Sequence, residues 1–144
     1  MSDTEPATRY EFAVALLDKL GMRTDWPQVT VIVAWCGLEN TRAANNPLAT
    51  TLHMPGSTLF NSAGVQNYQT LETGVQATVS TLTHKADERG YRAILNSLAR
   101  TPEPADSYDW FMAARKAIAD SAWSGSTNYL IPFPSGLLPI GGTK

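Results

Sequence analysis

The sequence predicts a mainly α-helical domain with a long loop or small hairpin lobe inserted after the second helix. Two observations carry that prediction. Apolar residues recur at three- and four-residue spacing in five windows, each bounded by capping or breaking residues. Between the second and third windows, residues 40–68 show no helical period and carry Asn at positions 40, 45, 46, 61 and 67.

The first window, "TRYEFAVALLDKLG", opens with Thr8 and Glu11 at capping-box spacing and stops at Gly21. Phe12, Leu16 and Leu20, with Ala13 and Leu17 beside them, form one apolar face. The second, "DWPQVTVIVAWCGLE", has Asp25 or Thr24 as its cap and Pro27 in the first turn, where a missing N–H does no harm. Its β-branched run is compatible with a strand, but Val29, Ile32, Val33 and Cys36 fit the helical spacing better.

Residues 40–68 are too long for a simple connection, which points to a functional loop. A short hairpin is expected around "MPGSTLFNSAG", whose Pro55, Gly56 and Gly64 are turn residues. Leu48, Leu52, Leu59, Phe60, Val65 and Tyr68 are the expected anchors.

The helical pattern resumes at "TLETGVQATVSTLTHKA", capped by Thr70, with Leu71, Val75, Val79 and Leu82 on one face. "GYRAILNSLAR" presents Tyr91, Ile94, Leu95 and Leu98. After the break at "TPEPAD", Asp106 or Ser107 caps "SYDWFMAARKAIADSAW", whose core face reads Trp110, Phe111, Ala114, Ile118 and Ala122. Residues 1–124 therefore read as one domain. Residues 125–144 read as a Pro/Gly-rich tail whose Leu130, Ile131, Phe133, Leu137 and Leu138 suit contact with a neighbouring chain more than with its own domain.

The totals exclude several classes. At 144 residues a chain can bury about 68–70% of its unfolded surface without disulfide or metal staples. A net charge of −2 offers no basic stripe for nucleic acid. No apolar run reaches membrane-spanning length, so no membrane insertion is expected. The start "MSDTEPATRYEF" is acidic and polar, without the charged start and apolar core expected of a signal peptide. The lone Cys36, inside an apolar run, reads as a small core residue. His53, His84 and Cys36 have no zinc spacing and there is no phosphate-binding glycine loop, so no metal or cofactor is expected. A Ser57–His53–Asp87 triad lacks any nucleophile-elbow pattern. Trp26, Trp35, Trp110 and Trp123 read first as core.

One acid stands out. Glu39 closes the second helix, and no Asp or Glu follows until Glu72. Ile32, Trp35 and Cys36 share its helical face, and the helix C-terminus adds partial negative charge. Both disfavour the ionised carboxylate, as a general acid working near neutral pH requires. Trp35, beside Glu39, has the best claim of the four tryptophans to a second role.

A helix ending in Glu39, followed by "NNPLATT" and "FNSAGVQNYQTLETGVQATVSTL", resembles the lysozyme-like domains of phage lysins and tail-associated proteins of actinobacterial phages. The layout is similar to the glucosaminidase and lytic transglycosylase branches of that superfamily, and the resemblance spans roughly residues 8–123. It implies cleavage of a glycosidic bond in bacterial peptidoglycan, with Glu39 as catalytic acid. It places Asn46, Thr50 and Thr51 on a cleft floor that binds N-acetyl sugars and Tyr68 where an aromatic closes the cleft. Asn67 joins these as a holder of acetamido groups or a water. Glycosidases ordinarily pair two carboxylates. The loop supplies none, which favours a substrate-assisted or intramolecular route, with Glu72 as the fallback second acid. The competing expectation is a wall-binding or structural virion module without catalysis. Either role places the protein in a virion, or in host cytoplasm before release to the wall.

Overall fold

The computed structural model describes residues 8–124, 130 and 131. Among these are six α-helices, one 3-10 turn and one two-stranded sheet. Helix α1 spans Arg9–Lys19 and begins with the predicted capping box: Thr8 Oγ1 accepts from the Glu11 amide at 3.1 Å and Glu11 Oε1 accepts from the Thr8 amide at 2.8 Å. Helix α2 spans Trp26–Glu39, so the β-branched window is helical. Asp25 occupies its N-cap position but makes no capping bond. Its carboxylate accepts instead from Thr101 and Arg23, tying the helix start to the segment before the last helix.

Helix α2 ends where Asn40 adopts the left-handed conformation, φ +49°, a geometry Asn tolerates better than most residues. Strands β1 (Thr58–Leu59) and β2 (Gln66–Asn67) then form the expected hairpin, with Thr58 opposite Asn67 and Leu59 opposite Gln66. Helix α3 spans Leu71–Thr83, and Thr70 Oγ1 caps it by accepting from the Thr73 amide at 3.1 Å. The sequence predicts that helix to run on to residue 86. Lys85 instead takes a left-handed φ of +52°, and a separate short helix α4 follows at Ala86–Arg89. Helix α5 is Tyr91–Leu98, a 3-10 turn covers Pro104–Asp106, and helix α6 is Ser107–Asp120.

Helix α1 packs against both α2 and α3, while α6 packs against α5 and α2. Phe12, Leu16, Ile32, Trp35, Leu82, Ile94, Trp110 and Phe111 fill the shared core and are almost wholly buried. Several expected core positions differ. Trp26 is 56% exposed at the start of α2, and Ala122 is exposed because α6 ends before it. Of the expected loop anchors, Leu48, Val65 and Tyr68 are buried, whereas Leu52, Leu59 and Phe60 are exposed. Leu59 stands opposite buried Gln66 in the strand pair yet is itself 62% exposed, because no other element among the described residues covers β1. Ile131 is buried in the chain's own core cluster, correcting its expected contact with a neighbour, and Leu130 is exposed. The rest of the predicted tail interaction lies outside the described residues.

Two helical glycines differ in what surrounds them. A methyl group on Gly74 in α3 would collide with the Asn45 backbone carbonyl, which packs directly on the helix. One on Gly37 in α2 would meet only Arg9 Nη1 at 3.5 Å, an ordinary contact. Helix propensity favours Ala over Gly by about 1 kcal/mol, but overpacking against rigid backbone costs about 1–3 kcal/mol or more. Thermal melts should therefore separate the pair: Gly37→Ala raises Tm by about 3 °C and Gly74→Ala lowers it by about 5 °C or more. Two variants shifting together would show that the loop does not rest on α3 through Asn45.

Candidate functional site

The loop after Glu39 is ordered by its own amides. Asn46 is fully buried, and both protons of its Nδ2 are used, on the carbonyls of Thr50 (2.9 Å) and Gln66 (2.7 Å). Its Oδ1 accepts from the Thr50 amide at 2.9 Å and lies 3.1 Å from Thr50 Oγ1. The neighbouring asparagines bridge the same strands. Asn45 Nδ2 donates to the Tyr68 carbonyl, and Asn67 Oδ1 accepts from the Ala44 amide, both at 2.9 Å. Asn61 Oδ1 closes the hairpin turn by accepting from the amides of Ala63 and Val65.

Tyr68 continues this network. Its hydroxyl donates to the Leu52 carbonyl at 2.6 Å and sits 2.9 Å from Thr50 Oγ1. A carbonyl can only accept, so the Tyr68 proton is directed at Leu52, and the single Thr50 hydroxyl proton is shared between Asn46 Oδ1 and the Tyr68 oxygen. Burial raises the Tyr68 phenol above its ordinary range, opposed by the hydrogen bond with Thr50. Asn46, Thr50 and Tyr68 therefore hold the lobe together. Burial and hydrogen bonds within the chain occupy their polar groups, and Asn46 is at the same time one of the residues lining the hollow beside Arg9 and Arg42.

The other predicted residues divide. Trp35 is fully buried, with its ring 5.1 Å from that of Trp123 in an edge-on arrangement, so it is core and presents no face to a ligand. Asn67 is half-buried, and its Nδ2 lies 3.3 Å from Thr58 Oγ1 across the strand pair. Thr51 is exposed. Glu72 is exposed in the first turn of α3, where a negative charge stabilises the helix N-terminus. Cys36 is buried, and that burial pushes its thiol up to about 12, so it is core as predicted.

Glu39 is half-buried and is the last residue of α2. The sequence surrounds it with apolar residues, but the fold brings a cation to the same helix end. Arg9, from the first turn of α1, donates from Nη2 to Asn40 Oδ1 at 3.2 Å and lies against Gly37. The Arg9 charge lowers and the Glu39 charge raises the Cys36 thiol, both outweighed by its burial. An open hollow of about 290 Å³ adjoins it, with Arg9, Thr41, Arg42, Asn45 and Pro47 in its wall. Two guanidinium groups make that wall cationic.

Sequence reading missed Arg9 because helix packing, not spacing along the chain, brings it to residue 40. Trp123 was missed for the same reason: its Nε1 donates to the Leu48 carbonyl at 3.0 Å and moors the lobe to the body. The fold also places His53 and His84, separate in sequence, on one larger cavity. Among the described residues no group of three His, Cys, Asp or Glu side chains could hold a metal ion. No helix among them is long and apolar enough to cross a membrane.

The Asn46 assignment can be tested by substitution. Asn46→Ala leaves the Thr50 amide and the Gln66 carbonyl buried without partners, at about 1–3 kcal/mol each. Tm should fall by about 10 °C, whereas exposed Thr51→Ala should stay within about 2 °C of the parent. If Asn46→Ala melts with the parent, the lobe is held by something else. No protein-family model, no curated protein and no solved structure matches the chain.

Proposed function

We propose that this protein cleaves the glycan strand of bacterial peptidoglycan, with Glu39 as the general acid. The observation that carries the reading is the placement of Glu39. It ends a packed helix, stands where a left-handed Asn40 turns the chain into an ordered lobe, and lies two residues before Thr41, the first loop residue in the wall of the cationic hollow. A position at the end of rigid structure and the start of a loop suits a catalytic group. Peptidoglycan carries carboxylates on its lactyl and peptide substituents, which Arg9 and Arg42 can pair with in bidentate fashion.

Glu39 gives its proton to the glycosidic oxygen as that oxygen leaves the anomeric carbon. Residues 40–71 contain no Asp or Glu to act as a partner carboxylate. The nucleophile is therefore a group of the sugar itself, through a substrate-assisted or intramolecular route of the lytic-transglycosylase kind. The binding surface consists of Arg9, Thr41 and Arg42, with the lobe's amides behind it as support. A second reading is wall binding without cleavage, in a virion module. It is favoured by the cationic hollow, which can hold an anionic polymer without any chemistry.

Glu39→Gln separates the two. The amide keeps the size and most hydrogen bonding but has no transferable proton. Release of soluble muropeptides from purified cell wall should drop by about 10²- to 10⁴-fold at unchanged Tm, because general acid catalysis contributes that much. A parent protein that binds wall but releases nothing supports the module reading. A variant as active as the parent removes Glu39 from the mechanism.

A further inference from the structure

A second cavity, larger than the hollow beside Arg9 and Arg42, also has chemistry in its wall. It measures about 580 Å³, within the range of sites for small organic ligands. One side is the lobe, contributing Leu52 and His53. The other is the end of α3 and the segment after it, contributing Ser80, His84 and Arg89. Among the described residues no carboxylate lines it.

The wall is rich in hydrogen-bond donors. Arg89 presents a guanidinium with five N–H groups in a planar fork, and each imidazole presents at least one N–H. Ser80 Oγ accepts from Gln76 Nε2 at 3.0 Å, which leaves its own proton available. Thr81, also in the wall, differs, because its hydroxyl donates back to the Ala77 carbonyl at 2.8 Å. The side chains of Arg89, His53 and His84 make no hydrogen bond or ion pair with any described residue. Nearby acids are engaged elsewhere or lie outside the wall: Asp87 pairs with Arg92 at 3.1 Å, and Glu88 does not line the cavity.

Fold and packing bring these donors together. Left-handed Lys85 ends α3 and sends the chain into α4, which carries Arg89. The Arg89 carbonyl accepts from the Ala122 amide at 2.8 Å, so its backbone is fixed by the turn after α6. His53 lies just beyond Leu52, whose carbonyl is held by Tyr68. Two ordered segments thus aim donors into one space.

We infer that the cavity bounded by His53, Ser80, His84 and Arg89 binds the oxyanion end, carboxylate or phosphate, of a small organic molecule. Charge and geometry select an oxyanion, because a guanidinium fork matches two oxygens of such a group. A transition metal would suit two imidazoles, but Arg89 repels it and no third ligand is present among the described residues. The volume exceeds what a bare inorganic ion needs, and Leu52 supplies an apolar wall for the body of the ligand. The inference is independent of any role for Glu39.

The test is an amide NMR titration of the full chain with phenyl phosphate and, separately, with N-acetylalanine. Phenyl glucoside is the uncharged control. Saturable shifts confined to residues 51–53 and 80–89, at a Kd of about 1 mM or tighter, are expected with one or both anions. Preference for phenyl phosphate identifies a phosphate ligand, and preference for N-acetylalanine identifies a carboxylate. Arg89→Gln should weaken binding by at least about tenfold. Its exposed side chain makes no bond within the described residues, so Tm should not move. Glu39→Gln should bind the anion as the parent does. Absence of saturable shifts, equal binding of the uncharged control, or unchanged affinity in Arg89→Gln would each overturn the inference. So would tighter binding of zinc chloride than of either anion.

Discussion

The buried side chain of Asn46 is the constraint on which the lobe depends. Its two donor protons and its acceptor oxygen are all used, and they join the turn at residue 50 to strand β2. A segment with three exposed apolar anchors cannot be held by hydrophobic burial alone. Each internal hydrogen bond contributes only about 0.5–1.5 kcal/mol net, but each buried group left without its partner costs about 1–3 kcal/mol. That asymmetry makes the network specify one conformation. Once it is in place, the Asn45 carbonyl seats on Gly74 and the Leu48 carbonyl meets the indole of Trp123. The lobe is thus fastened to α3 and to the turn after α6.

This changes which residues bear on function. The asparagines and threonines that give the loop its sugar-binding look are mostly facing one another. The guanidinium groups of Arg9 and Arg42 stand in the wall of the hollow, while exposed Thr51 lines the separate cavity with His53 and Arg89. Glu39 keeps its position at the helix end, now with Arg9 across the same turn. The lobe and the body together form two separate hollows, one beside the α2 terminus and one between residue 53 and α4.

Much of the helical framework was legible in the sequence, because capping and apolar periodicity are local signals. Thr8 with Glu11, Pro27 at the start of α2 and Thr70 before α3 all mark real helix starts. The break at Lys85 was not legible, since neither Gly nor Pro marks it and Lys rarely adopts a positive φ. Asn46 shows a different limit. Its amide has the same chemistry whether it binds a sugar or a carbonyl 20 residues along the chain, and only the fold decides between them. Arg9, Trp123 and the pairing of His53 with His84 are likewise products of helix packing, without local signal. The resemblance implied ligand contacts for Asn46, Thr50 and Tyr68, whose polar groups the fold uses inside the lobe.

Amide hydrogen exchange on the parent protein tests the Asn46-centred account most directly. The amides of Thr50, Gln66 and Tyr68 each donate to a partner inside the lobe. If the network orders the lobe, all three should be protected by about 10³-fold or more, as expected where opening costs about 4 kcal/mol. Exchange within about tenfold of an unstructured peptide at these three positions would contradict it. The lobe would then be mobile in solution, and Asn46 would not be its organising residue.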